Sequence, residues 1–236
     1  MAVRALITAG GTRDSIDDVR LSSHVGITTA QGITHIDHFD VDNFARGTFG
    51  LEIAKAFASR GVEVTLVGSR DLLRTIGTAL PGIRTVPFRS FQDLQRALDV
   101  EIPASKPDFV LMTAAIADYS PQSVEGKLSS DQDELIIRCT RNPKLLDRLR
   151  ELAGSSATLV GFKLLSGVTD EQLEAVARAQ IVRAGLDVTV GNDFKRIDWE
   201  RGVHPIVVVR KNAGTVSIVG HRPEVAAKLV ETLLGV

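Results

Sequence analysis

Short apolar runs alternate along this chain with stretches whose apolar residues recur every three or four positions. The runs at 3–8 (VRALIT), 62–67 (VEVTLV), 83–88 (IRTVPF), 109–112 (FVLM), 158–162 (TLVGF) and 188–190 (VTV) predict strands. Near-continuous apolar runs of that length are what a sheet covered on both faces requires. Between them, Leu51, Ile53, Ala54, Phe57 and Ala58 fall on one helical stripe, so 51–60 is predicted helical and closed by Gly61. A short helix is predicted at 91–98, with Pro103 and Pro107 punctuating the approach to the 109–112 strand. Further helices are predicted at 143–153, 170–184 and 223–234; Pro143 suits a first turn and Asn142 a cap. The run 134–139 (ELIIRC) predicts a strand, and 204–210 with 215–219 a ribbon around Asn212-Ala213-Gly214. Alternating residues at 33–41 suggest a second ribbon, suited to a subunit contact. Strands and helices alternate throughout, with no internal repeat and no dividing linker. The expectation is one α/β domain over 1–236. It is Rossmann-like and doubly wound, with a mainly parallel sheet, helices on both faces, a flap and a β-ribbon.

Chemistry is expected where the strands end, because open α/β sheets bind ligands outside their carboxyl edges. The stretch 108–121 (DFVLMTAAIADYSP) organises that edge. Thr113, Ala114 and Ala115 are small enough to let a ligand approach the backbone. Asp118 and Tyr119 follow, and Pro121 keeps a helix from starting at once. The first strand runs into Gly10-Gly11-Thr12, a turn that permits close approach of a phosphate. There is no G-x-G-x-x-G, and a Gly-Gly turn equally serves packing. Gly47 and Gly50 open the helix of 51–60, whose free N–H groups and dipole make an anion site. The same glycines also permit close helix–strand packing, and the two readings are compatible.

A polar stretch, 122–131, precedes the 134–139 strand and reads as a flap carrying Lys127. Taken alone, Lys127 reads as a solvated surface lysine. The segment 13–42 is long for a strand–helix connection. It holds His24, His35, His38, Asp37, Asp40 and Asp42, but no cysteine or H-E-x-x-H spacing. A solvated loop is favoured there over a metal site.

Composition narrows the classes. The chain has 236 residues, a formal net charge of -1, 44% hydrophobic and 24% charged residues. That balance belongs to an ordinary globular protein and gives no reason to expect nucleic-acid or anionic-membrane binding. No apolar run approaches the ~18 residues of a membrane span, and the start, MAVRALITAGG, has no signal-peptide pattern. Cys139 is the single cysteine, so no disulfide framework exists and a cytoplasmic setting is expected.

In order along the chain, several motifs resemble those of the phosphopantothenate–cysteine ligases. They are Leu6-Ile7-Thr8-Ala9-Gly10-Gly11-Thr12, Asp42-Asn43-Phe44 with Gly47 and Gly50, Ala114-Ala115-Ile116-Ala117-Asp118-Tyr119, Lys127-Leu128-Ser129-Ser130, Asn142-Pro143-Lys144-Leu145-Leu146, Gly161-Phe162-Lys163-Leu164-Leu165 and Asn192-Asp193. The order and spacing hold over nearly the whole chain. The branch it is most similar to is the one-domain ligases without a fused flavin-dependent decarboxylase. The resemblance implies a homodimer joining 4′-phosphopantothenate to cysteine, with CTP or ATP as co-substrate and Mg²⁺. It implies catalytic roles for Asn43 and Lys127, and substrate contacts at Asn43, Ala114, Ala115 and Asp118. It implies nucleotide contacts at Gly10, Gly11, Thr12, Ala45, Gly47, Gly50, Asp118, Lys127, Phe162, Arg183 and Asn192.

The chain also departs from the family pattern. Ala45, Arg46 and Thr48 stand where relatives carry serines and a basic residue after the first glycine. Gln180 and Ala184, with Arg178 and Arg183 nearby, stand where CTP-using members carry lysines. An insertion separates Val19-Arg20 from Asn43. Two other readings follow: a non-catalytic paralogue binding a nucleotide or pantetheine-like ligand, and a nicotinamide-dependent reductase. The second ranks below the first, since Tyr119 has Ser123, not Lys, four residues on.

Overall fold

A computed structural model describes residues 2–15, 21–22, 46–77, 80–126 and 136–235. Twelve strands form three sheets among these residues. They are β1 (Arg4–Ala9), β2 (Asp14–Ser15), β3 (Leu21–Ser22), β4 (Glu63–Ser69), β5 (Ile83–Phe88), β6 (Phe109–Met112), β7 (Tyr119–Pro121), β8 (Cys139–Arg141), β9 (Thr158–Leu165), β10 (Val188–Asp193), β11 (Ile206–Arg210) and β12 (Val216–Ile218). The main sheet has eight strands in the order β12-β11-β10-β9-β6-β1-β4-β5. From β10 to β5 every neighbouring pair is parallel; β11 and β12 join antiparallel at one edge. The parallel strands therefore follow the doubly wound 3-2-1-4-5-6 order, whose reversal lies between β1 and β6. The predicted sheet is the one observed, and that reversal marks the crevice for a ligand.

The helices are α1 (Thr48–Ala58), α2 (Arg70–Ile76), α3 (Phe91–Ser105), α4 (Leu149–Ala153), α5 (Asp170–Ala184) and α6 (Arg222–Leu234). One face of the sheet is covered by α1 and α6, through Ile53, Phe57, Val225 and Leu229 packed on Ile7, Leu66 and Val208. The other is covered by α3, α4 and α5, through Leu94, Leu98, Leu149 and Ile181 packed on Leu6, Val110 and Leu159. Both faces of each central strand are dry, which accounts for their continuous apolar runs.

Several boundaries differ from expectation. Pro103 lies inside α3, which runs to Ser105, not to Leu98. Leu94, Leu98 and Ile102 recur at helical spacing and are all buried, so packing carries the helix through the proline's missing N–H. Its start is fixed by a capping box between Ser90 and Asp93. β9 continues to Leu165 and β10 to Asp193, because the two stay paired beyond the end of β6. Helix α2 was not expected; Ser69 caps it by accepting the Leu72 N–H.

The strand expected at 134–139 is displaced. Residues 127–135 lie outside the described ones, 136–138 are not in a strand, and Cys139–Arg141 pairs with an unforeseen strand, Tyr119–Pro121. Asn142 does not cap a helix. Its amide donates to the Ala117 carbonyl (2.9 Å) and to Ser120 Oγ (2.8 Å), clamping this hairpin's base, and a 3₁₀ turn at Leu145–Arg148 precedes α4. The ribbon expected at 33–41 and the histidines of 13–42 lie outside the described residues.

The extension of α3 yields a measurement. Ile102 is fully buried, so Ile102→Ala is expected to lower unfolding free energy by about 2–5 kcal/mol, read from urea denaturation. A helix ending at Leu98 would leave that position in a linker, and the change would be close to neutral.

Candidate functional site

The carboxyl ends of β1 and β6 are zipped together past the sheet. The Ala115 N–H donates to the Gly10 carbonyl (2.8 Å), and the Thr12 N–H donates to the Ala115 carbonyl (3.1 Å). Threonine hydroxyls continue the pattern: Thr8 Oγ1 accepts the Ala114 N–H (3.1 Å), Thr12 Oγ1 accepts the Ala117 N–H (3.0 Å), and Thr113 Oγ1 donates to the Thr8 carbonyl. Two loops that would otherwise flex become one rigid floor.

Helix α1 points its N-terminus at that floor. Gly47, its N-cap, has φ 74° and no side-chain cap, and no acidic residue occupies the first turn. The N–H groups of Thr48, Phe49 and Gly50 precede the first helical hydrogen bond, Leu51 N–H to the Gly47 carbonyl, and face outward for an acceptor. The glycines are also sterically required. A Cβ on Gly50 would lie 2.2 Å from Thr113 Oγ1, and one on Gly47 would lie 2.5 Å from the Gly10 nitrogen. The helix can approach the β1 turn only because both side chains are absent, so packing and open donors coexist.

The opposite wall comes from β9, β10 and the chain after them. Phe162 and Leu164 project from the part of β9 that outruns β6, and Phe162 meets Phe49 edge to face at 6.3 Å. The Asn192 amide has no hydrogen-bond partner among the described residues. Next to it, the Asp193 carboxylate accepts the N–H groups of Gly167 (2.8 Å), Val168 (2.9 Å) and Lys195 (2.9 Å). Those bonds, the one from Gly167 foremost, hold Asp193 below the usual carboxylate range. Asp193 thus fixes the loops after β9 and β10 and is spent on the scaffold.

Together these elements enclose a cavity of about 420 Å³, whose lining includes Gly10 and Gly47 as well as Trp199, His204 and Arg222. A larger cavity, of about 660 Å³, opens at the amino edge beside Arg4, Glu63 and Arg84. There Arg84 is paired with Glu101 and Arg4 with the Ser105 carbonyl, so those charges are already used.

The expected site residues divide clearly. Gly10, Gly47, Gly50, Ala114, Ala115, Phe162 and Asn192 line the cavity. Gly11 bridges to Ala115, and Thr12 is buried in the zip, so both shape the floor from beneath. Asp118 stands outside the lining, exposed and paired with Lys144 at 2.5 Å. Arg183 is not brought to this edge. It sits on the last turn of α5, at the end remote from the site, and pairs with Asp147. Its helix runs antiparallel to the strands, which carries its last turn away from the carboxyl edge. Asn43, Ala45 and Lys127 lie outside the described residues.

Sequence reasoning missed Trp199, His204 and Arg222. They fall before, in and just after what reads as a plain ribbon, with no motif around them. The lone tryptophan beside the irregular stretch after β10 was the one available signal.

His204 is 6% exposed and stacks on Phe49 at 4.7 Å. Its backbone N–H donates to the Gly220 carbonyl (2.8 Å), but Nδ1 is buried without a partner among the described residues. Burial, helped by the nearby Arg222 guanidinium, lowers its pKa from 6.5 to about 4. The folded state therefore holds it neutral while the unfolded chain takes a proton below 6.5, so stability falls as pH drops from 6.5 towards 4. The His204→Phe variant keeps the ring contact and removes the titration. Its stability is expected to fall less steeply than wild type over that window, by up to ~1.4 kcal/mol per pH unit, in urea titrations between pH 7 and 4.5.

Comparison with known proteins fits this geometry. The chain is 31% identical over 198 residues to the coenzyme A biosynthesis bifunctional protein CoaBC of Thermococcus kodakarensis, covering 84% of this chain and 43% of that protein. It spans about half the length of the curated relatives it matches. The DNA/pantothenate metabolism flavoprotein from Streptococcus pneumoniae shares the fold with TM-score 0.79, at 22% identity over 99% of each chain. A solved C-terminal domain of CoaBC gives TM-score 0.70 at 24% identity, covering 98% of this chain and 93% of that one. The family described as the DNA/pantothenate metabolism flavoprotein C-terminal domain matches residues 23–235, and this chain belongs to it.

Proposed function

We propose that the chain is a phosphopantothenate–cysteine ligase. The observation that carries this reading is the convergence of open helix N–H groups, a small-residue floor and aromatic walls on one crevice, in a member of this family. In the reaction, a carboxylate oxygen of 4′-phosphopantothenate attacks the α-phosphorus of a nucleoside triphosphate, and pyrophosphate departs. The cysteine amine then attacks the acyl carbon, loses a proton, and the nucleoside monophosphate leaves with the bonding pair.

Each part of the cavity suits one part of that chemistry. The N–H groups of Thr48, Phe49 and Gly50, with the α1 dipole, stabilise negative charge on phosphate oxygens. Ala114 and Ala115 leave room for the pantothenate arm, while Phe49 and Phe162 offer apolar faces to a base. By its resemblance, Lys127 supplies a positive charge over the phosphates and Asn43 orients the acyl group without competing as a nucleophile. By the same resemblance, Mg²⁺ accompanies CTP or ATP as part of the substrate.

Assembly and setting belong to the same reading. Beside the β7–β8 hairpin, Ile136 is 75% and Val124 45% exposed, apolar surface suited to the second subunit of a homodimer. Light scattering at micromolar concentration is expected to give twice the chain mass. No described helix is long and apolar enough to cross a membrane. A reducing cytoplasm suits Cys139, whose thiol burial pushes towards the protonated form.

The test is release of pyrophosphate with phosphopantothenate, cysteine, Mg²⁺ and CTP or ATP. Two variants separate the steps. Lys127→Gln is expected to slow the first step by ~10²–10³, giving neither acyl-nucleotide nor product. Asn43→Asp is expected to form the acyl-nucleotide and pass it on slowly, because the new carboxylate repels the phosphate. Quenched reactions without cysteine, read by mass, show the intermediate directly. Equal accumulation in both variants would refute the division of roles, and its absence in the unmodified protein with every nucleotide would favour a non-catalytic paralogue.

A further inference from the structure

The cavity lining has two chemically different parts. One is the backbone N–H groups of α1 above a small-residue floor, fit for phosphate. The other is Ile197, Trp199, His204 and Arg222, joined to the α1 start through the His204–Phe49 ring contact. Arg222 is the one charged side chain among the described residues lining the cavity. Its guanidinium lies 5.0 Å over the Trp199 ring and has no carboxylate or hydrogen-bond partner among the described residues. Neither imidazole nitrogen of His204, which is buried beside it, has a hydrogen-bond partner there. Half-buried guanidinium groups are normally paired. This one lies over an aromatic ring and is unspent, and Ile197 and Phe162 share its cavity. Such walls suit a planar heterocycle, whereas a phosphate is better served by the open N–H groups of α1.

A guanidinium only donates, and it donates two parallel bonds from one flat edge. It therefore matches a base edge that presents two adjacent acceptors. Cytosine (N3 and O2) and guanine (N7 and O6) have such edges. Adenine sets its N6 donor beside N1 and N7, and uracil carries a proton on N3 between its oxygens. We infer that Arg222, stacked on Trp199 and backed by His204, is the nucleobase-selecting residue of this site and favours a base with paired acceptors over adenine or uracil. The inference rests on the nucleotide-dependent ligase reading and adds to it a base-reading residue that lies outside the sequence motifs.

Trp199 is the chain's single tryptophan, so its fluorescence reports a ligand beside it. The experiment titrates CTP, GTP, UTP, ATP and inorganic tripolyphosphate into the full chain and into Arg222→Met and Arg222→Lys, with Mg²⁺ present, by calorimetry for every affinity and by fluorescence for contact with Trp199. Wild type is expected to bind CTP or GTP about ten- to a hundredfold tighter than ATP and UTP. Arg222→Met should bring that ratio close to one and leave tripolyphosphate affinity unchanged. Arg222→Lys should restore little of it, because an ammonium cannot present the planar fork. Melting curves establish that each variant is folded, and Arg222→Lys carries the test alone if Arg222→Met is not.

Several outcomes would overturn the inference. One is equal weakening of tripolyphosphate and all four nucleotides in Arg222→Met, which would put the guanidinium on phosphate. Others are an unchanged ratio in the folded variants, or a wild-type preference for ATP. In each of these, pyrophosphate release by the wild type leaves the ligase reading standing. Failure of the wild type to bind any nucleotide would end both.

Discussion

The site depends on the backbone zip between the ends of β1 and β6. Parallel strands normally part where their ladder ends, and here they do not. Gly10, Thr12 and Ala115 continue the exchange of main-chain hydrogen bonds beyond the sheet, while the hydroxyls of Thr8, Thr12 and Thr113 bond Ala114, Ala117 and the Thr8 carbonyl. The strand order reverses at this point, so helices leave in opposite directions and open a crevice above it. A floor pinned by its own main chain can be lined with alanines and still keep its shape. That leaves room for a ligand without leaving the loop loose.

Everything above the floor is positioned relative to it. Helix α1 reaches it because Gly47 and Gly50 present no Cβ to Gly10 and Thr113. The α1–α6 layer then follows, held by apolar packing and by Arg60, just past the end of α1, paired with Glu231 of α6 at 2.5 Å. Since α6 begins at Arg222, the placing of α1 against the floor also sets where that guanidinium stands. The starts of both helices thus line the same cavity.

The His204 wall is kept at some cost to stability. A buried polar atom without a partner typically costs ~1–3 kcal/mol, and His204 Nδ1 is one. Its neutrality follows from burial and from the neighbouring guanidinium, and it keeps a second positive charge out of that wall. Asp193 shows the opposite balance. It is buried as an anion, satisfied by three backbone N–H groups, and it holds the loops that shape the cavity.

The sequence by itself determined the alternation of strands and helices, the parallel sheet, and the glycine and alanine positions on its carboxyl edge. Those features are local: an apolar run covered on both sides, a helical stripe, a residue without a Cβ. It also carried the family, because the motifs lie in loops whose order the fold preserves. Only the tertiary structure decided the rest. Pro103 sits within a helix because Ile102 has a buried place to fill. Asn142 clamps a hairpin instead of capping a helix because Ala117 and Ser120 come within reach of its amide. Arg183 points away because its helix runs against the strands, whereas Trp199, His204 and Arg222 meet because the chain after β10 folds back over the sheet edge. No spacing in the sequence encodes that meeting. It comes from long-range packing, which brings together side chains whose local surroundings carry no trace of one another.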